Sequence, residues 1–471
     1  MHLKKVILRN FRCFKELELD LHPRLTVLVA ENGGGKTAIL DGIAAGLTPL
    51  LTYLSSAGQR LSGPGILDTD FHIEEVKKNG WPQRSDFTQV EIFSSKGLHW
   101  DKWRSSSKGK RPKNKVGQKA LADIGRIILD SFSNEVPELL PVFSYYGAKR
   151  GRLPIPKRLR GTKFDYFQPT SALVGTLEPL NDFKEMLNWF DLEETAELRA
   201  NKGLRREDWE DSDLLTAVRN VIKQLLGSNY DNPHFNPQHK FVVDTGGNPR
   251  QLQVTQLSQG YQSMLAMGMD FARRLALANR HLNHDNMKQL LDMQNFESHW
   301  IAERDNPEFL SPPLLAPAIM LVDEIDLHLH PSWQQKVLGD LMRVFPSTQF
   351  IVTTHSPQVL TTLRAENIRM IEQNKEGDWY TKTPSFSPLA HESGDALASI
   401  MGTHPRPEIT SVTEYIHRYE QLAKAGEAQT TEAIEIKNKL DKAGFEFNAA
   451  DNALFRFLAS KAERSNEGGN D

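Results

Sequence analysis

The sequence predicts an α/β fold: a mixed β-sheet flanked by helices, with an inserted helical and arm region and a small C-terminal helical region. Three observations carry this expectation. Near the N-terminus the apolar run Leu25 to Val29 passes through a glycine-rich turn directly into a helical pattern, TAILDGIAAGL. Much later a second apolar run, Ala318 to Val322, ends in the adjacent carboxylates Asp323 and Glu324. Stretches of helical spacing lie between these runs and again after residue 405.

Each element can be justified in order. Leu3 to Leu8 reads as a short strand, and Glu16 to Leu21 alternates acidic and leucine residues with the period of a half-buried strand. Leu25 to Val29 is a strand, followed by the helix. Residues 50–100 hold mixed short elements. Residues 102–119, KWRSSSKGKRPKNKVGQK, are polar and basic without apolar period, as in an exposed loop or hairpin arm. Leu121 to Phe132 reads as helix and Pro141 to Tyr146 as strand. A second basic stretch covers 149–163, and 176–228 carries charged helical patterns. Phe241 to Val243 and Leu252 to Val254 flank Gly246-Gly247-Asn248, a hairpin pattern. A long helix runs from near Tyr261 to near Asn279. The mostly polar stretch 281–317, ending in SPPLLAP, reads as an insertion. Phe350 to Thr353 is a further buried strand. Ile409, Val412, Ile416, Tyr419 and Leu422 follow helical spacing, with two more helical patterns near 430–443 and 450–463. The implied organisation is a discontinuous core, 1–48 and 241–404, interrupted by 49–240 and by 281–317, and followed by a C-terminal helical region, 405–471.

Bulk properties bound the function. A chain of 471 residues suits two or three domains, and 39% hydrophobic with 25% charged residues suits a soluble protein with a core. A net charge of −3 leaves no global basic field, so any nucleic-acid contact must come from local patches. The single cysteine, Cys13, excludes an intrachain disulfide and a cysteine-based zinc site, and points to the cytoplasm. The opening MHLKKVILRNF has no apolar run of signal length, and no stretch approaches about 18 apolar residues, so no membrane partner is expected.

The chemistry resides in four segments. The turn Ala30-Glu31-Asn32-Gly33-Gly34-Gly35-Lys36-Thr37, with Ala38 after it, has what a phosphate loop needs. Small residues let backbone N–H groups face phosphate oxygens, a lysine reaches the β and γ phosphates, a hydroxyl holds Mg²⁺, and the helix adds its N-terminal dipole. The first position of the usual pattern is Ala30 rather than glycine. In the DE segment Asp323 would hold the metal and Glu324 would polarise the attacking water as general base. Leu257-Ser258-Gln259-Gly260 opens the long helix as a second anion-binding surface, although Ser258 alone would read as a plain N-cap. Thr353-Thr354-His355-Ser356-Pro357 places His355 at a strand end, where it could reach the γ-phosphate.

Phosphate loop, serine–glycine helix start, DE strand and histidine occur here in the order of the ABC-type ATPase head. The opening LKKVILRNFRCFKELELDLHPRLTVLVAENGGGKT, with LVDEIDLHLHP and TTHSP, resembles ATPases related to SMC, RecF and OLD proteins. More narrowly, the N-terminal wording, the chain length, the Tyr145-Tyr146-Gly147 step before basic residues and the short helical end resemble the PtuA-type ATPases of Septu and retron antiphage systems. The resemblance implies ATP and Mg²⁺ as cofactors, with catalytic roles for Lys36, Glu324, His355 and Ser258. Thr37 and Asp323 would hold the metal. Nucleotide contacts would come from Arg12, Asn32, Gly33, Gly34, Gly35, Lys36, Thr37, Ala38, Ser258, Gly260 and His355. Ser258 would act on the nucleotide of a second copy, making a homodimer or higher oligomer. Asp326, Leu327 and His328 would run across that interface, with His328 and His330 structural or interfacial rather than metal-binding.

The resemblance also implies an HNH nuclease partner (PtuB-like) and, in a retron setting, a reverse transcriptase with its RNA and DNA. No DxD cluster follows His355, so the chain is expected to lack a nuclease centre of its own. The basic segments 102–119 and 149–163 read either as DNA-backbone contacts or as solvated loops. The C-terminal region is expected to serve assembly or partner docking. The function expected is an ABC-type ATPase that regulates a partner nuclease; the alternatives are a nucleotide-gated scaffold with little hydrolysis and a RecF-like DNA repair ATPase.

Overall fold

In the computed structural model the described residues are 2–56, 58–74, 83–107, 109–112, 116–134, 137–151, 166, 168–179, 183–227, 230–283, 311–403, 410–447, 452, 453, 455 and 457. The chain forms two compact units, Met1–Ala396 and Leu397–Asp471.

The first unit begins with β1 (Leu3–Phe11), β2 (Phe14–Asp20), β3 (Leu25–Val29) and α1 (Lys36–Tyr53). A two-residue pair, β4 (Ile73–Glu74) and β5 (Gln83–Arg84), precedes β6 (Phe87–Ser94), β7 (His99–Ser105), α2 (Gln118–Ser131) and β8 (Val142–Tyr146). Then come α3 (Phe183–Ala200), α4 (Asp213–Leu226), β9 (Tyr230–Phe235), β10 (Phe241–Thr245), β11 (Gln251–Gln253) and α5 (Gln259–Ala278). The last strands are β12 (Ala318–Val322), β13 (Thr348–Thr353), β14 (Ile368–Gln373) and β15 (Trp379–Lys382).

Two sheets frame the core. One is antiparallel, in the order β2-β1-β6-β7. The other has six strands in the order β15-β14-β3-β13-β12-β8, parallel throughout except for the β14–β15 pair. Every residue of β3, β8, β12 and β13 is buried, which is why these segments are predominantly apolar rather than alternating. β2 instead buries Phe14, Leu17 and Leu19 and exposes its acidic positions, as its alternation predicts.

α1 packs against both sheets. Small residues make this possible. A Cβ at Gly46 would stand 2.6 Å from Ile92 Cδ1 and 2.9 Å from Val90 Cγ1, so the helix lies directly on β6. The Gly46 carbonyl accepts a hydrogen bond of 2.8 Å from the fully buried Trp100 Nε1 of β7. α5 is held by a buried charge cluster. Asp270 accepts from Tyr146 Oη at 2.9 Å, Arg273 at 2.8 Å and Arg274 at 2.7 Å, and Arg274 also donates to the carbonyls of Ala172 and Val174. Burial alone would raise the Asp270 pKa, but the two guanidinium groups outweigh it and hold the carboxyl below its ordinary value.

Several boundaries differ from the sequence expectation. The stretch 49–240 is not simply inserted, because it supplies β6 and β7 to the first sheet and the edge strand β8 to the second. A strand whose parallel partner is far away in sequence leaves no local pairing signal. Within 102–119, Lys102 and Arg104 belong to β7 rather than to a loop, and Arg104 bonds the Ile66 carbonyl and Asp68. Residues 152–163 and 284–310 lie outside the described residues, while Pro312–Leu315 forms a buried 3-10 turn and so belongs to the core rather than to a polar insertion. The hairpin at 246–248 forms as expected, between β10 and β11.

In the second unit, helices Thr410–Lys424 and Thr431–Lys442 share a core of Ile416, Tyr419, Leu422, Ala423, Ala433, Ile436, Leu440 and Phe455. Thr430 caps the second helix through the Ala433 amide. Among the described residues no helix is long and apolar enough to cross a membrane.

The α1–β6 contact gives a stability prediction. Gly46→Leu overpacks the contact with Val90 and Ile92 and is expected to lower unfolding stability by about 1–3 kcal/mol. Denaturant unfolding followed by tryptophan fluorescence checks this; an unchanged midpoint would show that the contact yields freely.

Candidate active site

β3, β13 and β12 are neighbours in one parallel sheet, so the loops that leave their C-terminal ends share one edge. Crevices at this edge are where open α/β sheets bind ligands. The three loops are the glycine-rich turn, the Thr354–Ser356 segment and the DE segment.

The glycine-rich turn is shaped by its neighbours. Gly35 has φ 81°, and a Cβ there would stand 2.3 Å from Phe14 Cζ, so both conformation and space demand glycine. A Cβ at Gly34 would meet the Ala30 methyl at 2.6 Å. The methyl of Ala30 thus occupies space that Gly34 leaves open, which explains why the loop accommodates alanine at its first position. Lys36 Nζ donates to the carbonyls of Ala30, at 2.9 Å, and Glu31, at 3.2 Å, folding back over its own loop. Burial pushes the Lys36 pKa down, against the pull of Asp323, Glu324 and Asp326.

Asp323 joins the three strand ends. Its Oδ2 accepts from Thr37 Oγ1 at 2.9 Å and its Oδ1 from Thr353 Oγ1 at 2.6 Å, while its backbone amide donates to the Tyr146 carbonyl at 2.9 Å. Thr353 Oγ1 also accepts from the Glu324 amide at 2.7 Å. This bond holds Glu324 at φ 50°, a left-handed conformation that costs a non-glycine residue about 1–3 kcal/mol and clusters at functional sites. One step further, Asp326 Oδ1 accepts from Thr354 Oγ1 at 2.6 Å and from the His355 amide at 3.2 Å.

Lys36, Thr37, Asp323, Glu324 and His355 are therefore brought to one sheet edge. Ser258 stands exposed at the N-cap of α5, yet its side chain makes no capping hydrogen bond, so the plain N-cap reading does not describe it. Gly260 meets the loop after Glu324: a Cβ there would stand 2.6 Å from the His328 carbonyl oxygen. Asn32 and Gly33 lie exposed on the turn, and Ala38 is buried in α1. Arg12 is engaged elsewhere. At φ 51° it donates to Asp41 Oδ2 at 2.7 Å and to Asp70 Oδ1 at 2.9 Å, so any phosphate contact competes with two carboxylates. His330 Nδ1 accepts from the Ser332 amide and caps the short helix Pro331–Gln334.

Sequence reasoning missed Thr353, although an apolar strand ending in two consecutive threonines was a usable signal. It also missed Asp41 and Tyr145. The buried Tyr145 hydroxyl donates to Asp41 Oδ1 at 2.8 Å and completes the cradle for Arg12. No local pattern marks such a pair.

Comparison with known proteins finds ATPases. Residues 5–228 match a family model described as an AAA domain, and residues 300–361 match a second AAA-domain model, described for type IV TA systems. The chain is 26% identical to the Retron Vc95 probable ATPase of Vibrio cholerae serotype O1 biovar El Tor, over 93% of this chain and 86% of that protein. It is 26% identical to the Retron Ec83 probable ATPase of Escherichia coli, over 90% of this chain and 80% of that protein. The Septu protein PtuA of Bacillus mycoides is 29% identical over 40% of this chain and 22% of its own length. The chain is thus similar over most of its length to the two retron probable ATPases and over part of it to PtuA.

The Ala30–Gly34 contact yields a coupling prediction. Gly34→Ala should abolish nucleotide binding by forcing the turn open, and Ala30→Gly added to it should restore part of the binding. Titration with a fluorescent ATP analogue measures both. Equal loss in the single and double variants would mean that the two positions do not share the space.

Proposed function

We propose that this chain binds ATP with Mg²⁺ and hydrolyses it between two copies of itself. The observation that carries the reading is the 2.9 Å contact of the Thr37 hydroxyl with the Asp323 carboxylate, beside Lys36 and at the ends of adjacent parallel strands. These two hard oxygen donors suit Mg²⁺, which takes one or two protein oxygens and completes its shell with phosphate and water. Among the described residues no group of three or more His, Cys, Asp or Glu side chains could hold a metal ion without such help. Mg²⁺, when bound, offsets the phosphate charge.

The chain's own residues divide the remaining work. Amides of the 33–37 turn and the N-terminus of α1 face the phosphates. Lys36 exchanges the carbonyls of Ala30 and Glu31 for β and γ phosphate oxygens. Glu324 accepts a proton from the attacking water at its carboxylate. His355 hydrogen-bonds the γ-phosphate. Ser258, whose hydroxyl is not used in capping, supplies a donor to the ATP of a second copy, so a homodimer or higher oligomer is the working unit.

Similarity to the Septu protein PtuA and the retron ATPases supports a role in antiphage defence in the cytoplasm. There the engine would regulate an HNH nuclease partner (PtuB-like), and in a retron setting would act beside a reverse transcriptase with its RNA and DNA. The C-terminal unit is the proposed docking or assembly element. DNA contact, if made through 102–119 and 149–163, falls to residues other than Arg104, which already pairs with Asp68.

Two variants test the reading. Glu324→Gln should still bind ATP while turnover falls by about 10²–10⁴-fold, and should trap the ATP-bound oligomer. Lys36→Ala should lose binding itself. Hydrolysis and size-exclusion assays with ATP are the measurements, and wild-type turnover by Glu324→Gln would remove Glu324 as the base.

A further inference from the structure

The loop after β12 and the loop after β13 are joined at two points. Asp326 makes the first joint, through the Thr354 hydroxyl and the His355 amide. Gln334, the last residue of the short helix Pro331–Gln334, makes the second. Its Nε2 donates to the Leu329 carbonyl at 2.9 Å, and its Oε1 accepts from the Ser356 hydroxyl at 2.6 Å. The side-chain amide is anchored by one end within its own segment and reaches with the other across to Ser356 of the second loop. Ser356 is buried, and its amide donates to Thr354 Oγ1 at 3.0 Å, which closes a ring from Asp326 through Thr354 and Ser356 to Gln334.

A single joint at Asp326 would leave the loops able to pivot about it. Two joints fix their relative orientation. The bridged segment then reaches α5, because the His328 carbonyl lies against Gly260, two residues from Ser258. The residue proposed to sense the γ-phosphate in one copy and the helix start proposed to act on a second copy are therefore linked through this segment.

We infer that Gln334 is a positioning residue that couples the His355 loop to the start of α5. A displacement of the 353–356 loop is transmitted by the Gln334 amide to Leu329, and by the adjoining His328 carbonyl to the first turn of α5. The inference rests on the ATP-site reading proposed above. Gln334 itself need touch neither nucleotide nor metal.

The test uses the full chain with Mg²⁺ and a non-hydrolysable ATP analogue, read by hydrogen–deuterium exchange and by steady-state ATP turnover. Gln334→Leu removes the hydrogen bonds to Ser356 and Leu329 and a longer one, of 3.5 Å, to the Asp326 carbonyl. Gln334→Glu keeps an acceptor for Ser356 but removes the donor to Leu329. In the wild type the analogue should slow exchange in both 353–358 and 326–334. In both variants protection of 353–358 should stay within about twofold, protection of 326–334 should vanish, and kcat should fall about tenfold or more with KM within about twofold. Variants that keep both protections, or whose KM rises in step with the fall in kcat, overturn the coupling. Wild-type protection confined to 353–358 overturns it while keeping the ATP site. A wild type with neither protection nor turnover overturns the ATP-site reading, and the coupling with it.

Discussion

The carboxylate of Asp323 is the point on which the rest of the site depends. Two threonine hydroxyls, one from the start of α1 and one from the end of β13, converge on its two oxygens. Those bonds tie the ends of β12 and β13 to the start of α1, segments remote in sequence. They also set the backbone of the next residue, because Thr353 holds the Glu324 amide as well. A buried acid satisfied in this way costs little to keep, whereas the same acid stripped of its partners would be a penalty of several kcal/mol. Order in the site and stability of the sheet edge are the same set of contacts.

Packing around that edge follows from residue size. α1 approaches β6 because Gly46 has no side chain, and the turn before α1 closes because Gly34 makes room for Ala30. The glycine-rich turn is thus shaped by its packing within the protein. Lys36 is bonded to its own loop carbonyls, which satisfies both partners within the turn.

Much of this was legible in the sequence because it is local. The strands β3, β12 and β13 are buried on both faces, so their apolar runs stand out, and Lys36, Thr37, Asp323, Glu324 and His355 each adjoin one. What was not legible depends on pairs far apart in the chain. Tyr145 with Asp41 and Gln334 with Ser356 are single side chains meeting across the fold, and no spacing in the sequence says that they pair. The membership of β6, β7 and β8 in the two sheets was missed for the same reason, since parallel and long-range pairing imposes no spacing on the sequence. Arg12 shows the converse: a phosphate role was expected of it, but its side chain is occupied by Asp41 and Asp70, carboxylates that the motif does not contain.

The buried cluster at Asp270 has a mechanical consequence. Arg274 grips the carbonyls of Ala172 and Val174, and Asp270 grips Tyr146 at the end of β8. Twisting α5 about its own axis would break several charge-assisted bonds at once in a medium without water to replace them. The helix is keyed to the sheet like a shaft to a wheel. A rotation of the whole of α5 would therefore have to carry the 169–174 turn with it or break its bonds to that turn and to β8.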